Sequence, residues 1–322
     1  MRRTSIEAAT RFFTDWLSYS EIQAACGRSI TMYKLWTALE RQPFAVDSIG
    51  EDACIAWLGP KPMDKPDKVI LYFPGGGYIN PPTTANMSFI HEMKRHAEER
   101  GASVSVAMLL YKLRPEGHFP TQVRDAKNGL DFILSLDVDP SNIQLVGDSA
   151  GGHLLLQFIS HILHPLPPLM CDPIPSDIKF GGIFLVSPSV SLRGDVGRDG
   201  FERNDGVDAL SPKIYRKWGS EYFYEVSEDF LPFGDAVHAP HGWFDGLENV
   251  AERVLLSAGE HECPTDAIEI LWDKHLQKHP NSKFVVVKDG VHVDFVLDFV
   301  VKPFQVGEQT REVFDWVSDG FA

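Results

Sequence analysis

The chain alternates short, mostly apolar segments with longer amphipathic ones, and this alternation limits its fold more than any other feature. Strands are predicted where apolar and β-branched residues run together, and helices where apolar positions recur about every 3.6 residues. The predicted strands are 69–73, 103–109, 143–146, 182–186, 253–257 and 284–287. The predicted helices are 86–100, 120–136, 150–163, 265–278 and 306–317. Strands that are apolar on both faces are typical of parallel sheets covered by helices, so the alternation predicts a doubly wound α/β sheet.

Two segments interrupt this alternation. Residues 1–45 have a helical, aromatic pattern, and residues 191–240 are rich in Gly, Asp, Pro, Trp and Tyr. We expect both to lie outside the sheet as a helical cap, which leaves 46–190 and 241–322 as the two parts of the core. The chain of 322 residues is 43% hydrophobic, enough to bury a large core of this kind.

A serine between glycines follows the third predicted strand, in Gly147-Asp148-Ser149-Ala150-Gly151. One interpretation is that Ser149 caps the next helix, since serine is favoured where the first helical N–H groups lack partners. The other is that a sharp strand-to-helix turn presents Ser149 as a nucleophile. This motif alone leaves both interpretations open.

The loops after three other strands carry groups that complement a nucleophile, and the carboxyl ends of parallel strands meet at one edge of a sheet. Gly75-Gly76-Gly77 exposes backbone N–H groups without the spacing of a phosphate-binding loop. The amides of Gly76, Gly77 and Ala150 can converge on a developing oxyanion.

A carboxylate and a histidine complete the predicted site. Glu260, Glu262 and Asp266 follow the fifth predicted strand. Asp266 suits the helix start and Glu260 a solvated loop, so Glu262 is the first choice to orient a histidine. The order Ser149, Glu262, His292 is the chain order of an α/β-hydrolase triad.

Several motifs in order resemble the hormone-sensitive-lipase-like esterase family of α/β-hydrolases, its fungal members in particular. The resemblance covers residues from about 69 to 300. It rests on Gly147-Asp148-Ser149-Ala150-Gly151-Gly152, Tyr111-Lys112-Leu113-Arg114-Pro115-Glu116, Phe119-Pro120, Asp125, Ser187-Pro188, Glu262 with Asp266, and Gly290-Val291-His292.

The resemblance implies an α/β-hydrolase fold whose N-terminal helices and mid-chain insertion cap an acyl pocket. It implies Ser149 as nucleophile, Glu262 as acid, His292 as base, and the N–H groups of Gly76, Gly77 and Ala150 as oxyanion donors. The sequence departs from the family at Pro74, which stands where the family usually has a histidine before its glycines.

These features predict a serine carboxylesterase that needs no metal or organic cofactor. Its expected partner is a small or medium-sized ester, with secondary metabolites included. The aromatic residues of the two interrupting segments are candidates to line its pocket: Phe12, Phe13, Trp16, Tyr33, Trp36, Tyr215, Trp218, Tyr222, Phe223 and Tyr224. Packing of these residues between helices is the competing interpretation.

Charge and hydropathy limit the kinds of partner that we expect this chain to bind. The formal charge of −15 disfavours nucleic acid, and no apolar run approaches the roughly 20 residues that span a bilayer. Four scattered cysteines without a C-x-x-C pair fit a cytoplasmic protein.

Two other classes of function remain open. If water is excluded from the pocket, the same acyl-enzyme reacts with a different nucleophile. The protein is then an acyltransferase, a lactonase, or a catalyst of cyclisation or condensation. A non-catalytic ligand receptor is the other class, and it is disfavoured because all three triad residues are present.

Overall fold

One sheet of eight strands organises the computed structural model, which describes residues 10–11, 14–223 and 226–321. The strands are β1 (Val46–Ser48), β2 (Cys54–Trp57), β3 (Lys68–Phe73), β4 (Val104–Leu110), β5 (Ile143–Asp148), β6 (Gly182–Val186), β7 (Val254–Gly259) and β8 (Ser282–Val287). Their order in the sheet is β1-β2-β4-β3-β5-β6-β7-β8. Strand β1 pairs antiparallel with β2, and β2 pairs antiparallel with β4. All the other neighbours in the sheet, from β4 through β3 to β8, pair in parallel.

Helices connect the strands and cover both faces of the sheet. They are α1 (Tyr19–Cys26), α2 (Ser29–Glu40), α3 (Thr84–Glu99), α4 (Thr121–Ser135), α5 (Ala150–Leu163), α6 (Arg198–Arg203), α7 (Pro212–Tyr222), α8 (Leu231–Gly234), α9 (Leu247–Val250), α10 (Thr265–Leu271), α11 (Asp294–Leu297) and α12 (Glu308–Asp319). A π-helical turn, Trp272–Leu276, continues α10. None of these helices is long and apolar enough to cross a lipid bilayer.

The predicted doubly wound α/β sheet is confirmed. All six predicted strands are present with ends that differ by up to two residues, because β-strand ends depend on neighbouring strands as well as on local sequence. The antiparallel edge of β1 and β2 was not predicted, since runs of three and four residues are too short to show a period.

The two faces of the sheet carry separate apolar cores. Helices α4 and α5 and the 191–240 insertion contribute to one core, and α2, α3 and α12 contribute to the other. Tyr33 and Trp36 of α2 are fully buried in the second core. The Tyr33 hydroxyl donates to the Trp57 carbonyl at 2.6 Å, and the Trp36 indole N–H donates to Ser88 Oγ at 3.1 Å. These two aromatic side chains therefore pack against the body of the sheet.

Candidate active site

Ser149 lies on a tight turn between β5 and α5, with φ 49° and ψ −120°. A Cβ at Gly147 would lie 2.6 Å from the Gly151 carbonyl oxygen, and a Cβ at Gly151 would collide with the Phe73 carbonyl. Both positions therefore need glycine for the strand and helix to approach so closely. Ser149 occupies the N-cap position, but its side chain makes no capping hydrogen bond. The hydroxyl is left for another partner, as the nucleophile interpretation requires.

A continuous hydrogen-bonded series joins the three predicted side chains. Ser149 Oγ lies 2.7 Å from His292 Nε2, and His292 Nδ1 lies 2.8 Å from Glu262 Oε2. Glu262 Oε1 accepts the Gly259 backbone N–H at 2.7 Å, which fixes the carboxylate. His292 is 3% exposed and Glu262 0%, so the series is shielded from bulk water.

The two other candidate carboxylates are bound elsewhere. Glu260 is exposed and accepts the Asp289 backbone N–H at 2.9 Å. Asp266 lies in the first turn of α10 and pairs with Arg203 at 2.5 Å. Among the three, Glu262 is the carboxylate that His292 contacts.

Nearby carboxylates set the protonation of His292. Burial by itself lowers the pKa of His292, but the hydrogen bond and charge of Glu262, together with the charges of Asp208 and Asp148, outweigh burial and raise it. Burial raises the pKa of Glu262, and the hydrogen bond to His292 opposes that rise. The imidazole is therefore a stronger base than a solvated histidine.

The Gly75-Gly76-Gly77 loop follows β3, which is the direct neighbour of β5 in the sheet. Gly76 and Gly77 have φ values of 129° and 62°, a region that favours glycine. Ala150 is the first residue of α5. In the described residues, the N–H groups of Gly76, Gly77 and Ala150 donate to no protein acceptor. They remain the predicted oxyanion donors.

Asp148 and Tyr111 hold the glycine loop where the family usually uses a histidine. The Tyr111 hydroxyl donates to the Pro74 carbonyl at 2.7 Å, and the Gly75 N–H donates to Asp148 Oδ1 at 3.0 Å. Asn86 Nδ2 donates to Asp148 Oδ2 at 3.0 Å. Bracing of the loop therefore survives the presence of Pro74. Asp148 carried a sequence signal, since it precedes Ser149 in the motif, but its role was not predicted.

Ser189 was also not predicted, although it follows the Ser187-Pro188 motif by one residue. Its Oγ lies 3.3 Å from Ser149 Oγ, and its backbone N–H donates to the Ser149 carbonyl at 3.0 Å. The Ser189 hydroxyl therefore lies beside Ser149 Oγ, as a second hydrogen-bonding group on the side of β6.

A narrow cavity lies beside Ser149, with a free volume of about 20 Å³. Such a volume holds about one water-sized group. The cavity is lined by Gly77, Tyr78, Ser149, Ala150, Ser189, Leu192, Leu210, Tyr215, Trp218, Gly219 and Tyr222.

Three of the aromatic pocket candidates, Tyr215, Trp218 and Tyr222, lie in the lining of this cavity. Tyr33 and Trp36 do not line the cavity, because they are buried in the second core, to which α2, α3 and α12 contribute. Trp16 does not line it either and is 76% exposed. Phe223 packs beside Tyr222. The remaining candidates, Phe12, Phe13 and Tyr224, lie outside the described residues.

Within the described part of the chain, one group of side chains has the geometry of a metal site. Ligand atoms of Glu260, His261 and Asp289 all lie within 4.8 Å of one another. Glu260 and Asp289 are exposed, and none of the three lines the cavity beside Ser149.

Known proteins share sequence with this chain over part of its length. The BD-FAE family model matches residues 58–159. The chain is 26% identical over 247 residues to the Schizosaccharomyces pombe protein named "Putative steryl acetyl hydrolase mug81", covering 73% of this chain and 61% of that protein. It is 29% identical over 160 residues to arylacetamide deacetylase of Oryctolagus cuniculus, covering 48% of this chain and 37% of that protein. The chain thus spans less than two thirds of the length of these curated relatives.

Solved structures share the fold over nearly the whole chain. An esterase from the bacterial hormone-sensitive lipase family superposes with a TM-score of 0.70 at 18% identity, covering 99% of this chain and 98% of that one. A hormone-sensitive lipase from a metagenome library gives a TM-score of 0.70 at 20% identity, covering 100% and 99%. At such identities the agreement concerns the fold.

Proposed function

We propose that this chain, which has the α/β-hydrolase fold of the hormone-sensitive-lipase-like esterases, is itself a serine carboxylesterase. The series from Ser149 Oγ through His292 to Glu262 is the observation that carries the proposal. A serine hydroxyl is a weak nucleophile at neutral pH and needs an adjacent base. In this proposal Ser149 is the nucleophile, His292 the base and Glu262 the acid that orients the imidazole.

The reaction divides into two similar halves. Ser149 Oγ attacks the ester carbonyl carbon while its proton passes to His292 Nε2, and the resulting imidazolium is stabilised by Glu262. The C–O bond to the alcohol then breaks as His292 returns the proton to the leaving oxygen. Water repeats the sequence on the acyl-enzyme and releases the acid. No step needs a redox or metal partner.

The oxyanion of each tetrahedral intermediate requires hydrogen-bond donors. We assign this role to the N–H groups of Gly76, Gly77 and Ala150. The Asp148 and Tyr111 contacts hold Gly75 and Pro74, the two residues just before the first two donors, and the third donor lies at the positive end of α5. One such donor contributes on the order of 3 kcal/mol to lowering the barrier.

The acyl groups best suited to this site are short. The cavity beside Ser149 has about 20 Å³ of free volume and an apolar lining, which suits the methyl group of an acetyl ester. Two relatives carry names that refer to acetyl removal, which agrees with this substrate class. We therefore propose acetyl esters of larger alcohols as the substrate class.

Hydrolysis and covalent labelling test the proposal together. The protein should hydrolyse p-nitrophenyl acetate, and a fluorophosphonate probe should label Ser149, as peptide mapping by mass spectrometry would locate. Ser149→Ala should abolish the label and lower turnover by at least about 10⁴-fold.

Ser189→Ala is the matched control, because it removes the hydroxyl nearest to Ser149 without removing the nucleophile. It should keep the label on Ser149. A label on Ser189, or turnover that survives Ser149→Ala, would contradict the assignment.

A further inference from the structure

Asp208 is a buried carboxylate in the 191–240 insertion, 2% exposed and outside the Ser149–His292–Glu262 series. Its oxygens accept backbone N–H groups from three residues. Oδ1 accepts from His292 at 2.9 Å and from Ala209 at 2.7 Å, and Oδ2 accepts from Cys263 at 2.7 Å. Burying a carboxylate is costly unless such donors compensate it. A buried charge at this place therefore calls for an explanation.

Two of these donors belong to the loops that carry the base and the acid. One is the N–H of His292 itself. The other, at Cys263, belongs to the peptide group that joins Glu262 to Cys263. The two loops follow different strands, β8 and β7. One carboxylate from a third segment therefore ties together the backbones that present His292 and Glu262.

Asn204 holds the same peptide group from its other side. Asn204 Nδ2 donates to the Glu262 carbonyl at 2.8 Å, while Asp208 accepts the adjoining N–H. The Asp208 backbone N–H in turn donates to the Asn204 carbonyl at 3.1 Å. Both polar atoms of the Glu262–Cys263 peptide are thus bound by one short turn, residues 204–208, of the insertion.

We propose that Asp208 is a positioning residue that keeps Glu262 and His292 aligned for proton transfer from Ser149. The inference rests on the proposed function and adds a role for the insertion beyond covering the acyl pocket. Displacement of a reacting group by about 1 Å can cost about 10²-fold in rate. The insertion therefore takes part in catalysis through the backbone of the acid and base loops.

Asp208→Asn is the decisive variant. Its amide oxygen can still accept from His292 and Ala209, but its NH₂ group would face the Cys263 N–H, which loses its acceptor. We expect kcat for p-nitrophenyl acetate to fall by about 10- to 100-fold, with KM changed less than twofold.

The charge of Asp208 gives a second readout. The pKa of His292 is raised by three carboxylates, those of Glu262, Asp208 and Asp148. The Tyr215 ring lies edge-on against the His292 ring, with 6.4 Å between the ring centroids. Removing the charge of Asp208 should move the acid limb of the kcat/KM profile to lower pH, an effect that mere loss of packing would not produce.

Asp205→Asn is the matched control, because Asp205 lies three residues earlier, is exposed and pairs with Arg11. It should leave kcat and the pH profile unchanged. Hydrogen exchange followed by mass spectrometry adds a measurement independent of activity. Peptides that contain the Cys263 and His292 amides should exchange faster in Asp208→Asn than in Asp205→Asn.

The outcomes separate this inference from the proposed function. Asp208→Asn with wild-type kcat, pH profile and amide exchange, in a protein whose Ser149 is labelled, would overturn the inference alone. A wild-type protein that neither hydrolyses the ester nor takes the label would overturn the proposed function and this inference with it. If Asp208→Asn does not fold, Asn204→Ala is the second variant: it removes the Asn204 donor from the Glu262 carbonyl, to which Thr265 Oγ1 still donates at 2.7 Å. It should lower kcat severalfold and speed exchange at Cys263. Unchanged values in Asn204→Ala would then overturn the inference.

Discussion

At the scale of single residues, the site depends on which carboxylate faces an imidazole and which faces water. Glu260 and Glu262 are two positions apart, yet Glu262 is fully buried against His292 and Glu260 is exposed. The same chemical group thus has two different tasks, because the turn after β7 directs one side chain inward and the other outward.

Glu262→Gln should therefore lower kcat/KM for p-nitrophenyl acetate by about 10³-fold or more, since a neutral amide cannot stabilise the imidazolium. In the wild type, activity needs neutral His292, whose pKa is raised above its ordinary 6.5, so kcat/KM should fall as the pH drops through a value above 6.5. In Glu262→Gln the remaining activity should persist to lower pH.

Glu260→Gln is the control for the same measurements. It should keep wild-type activity and the wild-type acid limb. Equal losses in both variants would show that Glu262 is not the acid.

Sequence reasoning brought Ser149, Glu262 and His292 together because each follows a strand whose carboxyl end faces the same edge. Asp208 and Asn204 could not be found in this way. They follow no strand of the sheet, and their hydrogen bonds go to backbone groups, which any residue type presents. A role of that kind depends on the path of the whole insertion.

At the scale of elements, α7 lines the cavity beside Ser149. Trp218 of this helix packs over the Gly75-Gly76-Gly77 loop so closely that a Cβ at Gly77 would collide with the indole ring. One turn of α7 also approaches the Leu192 carbonyl at Gly219, where a side chain would not fit. Under the proposed function, the helix therefore limits how far an acyl chain can extend from Ser149.

Trp218→Ala should widen the range of acyl chains. Each methylene group in an apolar pocket contributes about 1–3 kcal/mol to discrimination. We expect kcat/KM for p-nitrophenyl hexanoate, relative to the acetate, to rise by about 10-fold or more. Lys217→Ala, an exposed neighbour on α7, should keep the wild-type preference. An unchanged preference in Trp218→Ala would place the acyl group elsewhere.

The core strands were predictable from mostly apolar runs rich in β-branched residues, and the long helices from apolar positions that recur about every 3.6 residues. The path of 191–240 was not, because α6 and α8 have only six and four residues and their positions are set by contacts with α10 and α5. The helix predicted over 265–278 is α-helical only to Leu271 and continues as the π-helical turn Trp272–Leu276. No local sequence pattern indicates this change.

At the scale of the whole molecule, charged contacts join the N-terminal segment to the 191–240 insertion and the two ends of that insertion to each other. Arg11 pairs with Asp205, which links the N-terminal segment to the insertion. Within the insertion, buried Asp235 accepts the N–H groups of Ser191 and Leu192 at 3.0 and 2.7 Å. His238 Nε2 lies 2.9 Å from Asp195 Oδ2, and His238 Nδ1 lies 3.6 Å from Asp235 Oδ2. These contacts join the start of the insertion to its end.

Stability should consequently fall at alkaline pH. The nearby carboxylate of Asp235, together with the hydrogen-bonded carboxylate of Asp195, raises the pKa of His238 to about 9 against 6.5 for an ordinary histidine. Its stabilising effect is complete below pH 6.5 and is lost as the pH rises through about 9. Between pH 7 and 9.5 the Tm of the wild type should fall more than that of His238→Gln.

His241→Gln, at an exposed histidine nearby, serves as the comparison because the net charge of the chain changes with pH in every variant. It should follow the wild-type curve. Parallel Tm curves for the wild type and His238→Gln would contradict this prediction.

Asn204 and Asp208 bind both polar atoms of the Glu262–Cys263 peptide, and these two hydrogen bonds restrict how this protein can be redesigned. Protein engineers often exchange lids between hydrolases to transplant a substrate preference. A chimera that replaces all of 191–240 would lose the hydrogen bonds that Asn204 and Asp208 make with the Glu262–Cys263 peptide and the His292 N–H. Grafts confined to α7 and the segments after it, with 204–208 retained, should change selectivity while leaving turnover intact.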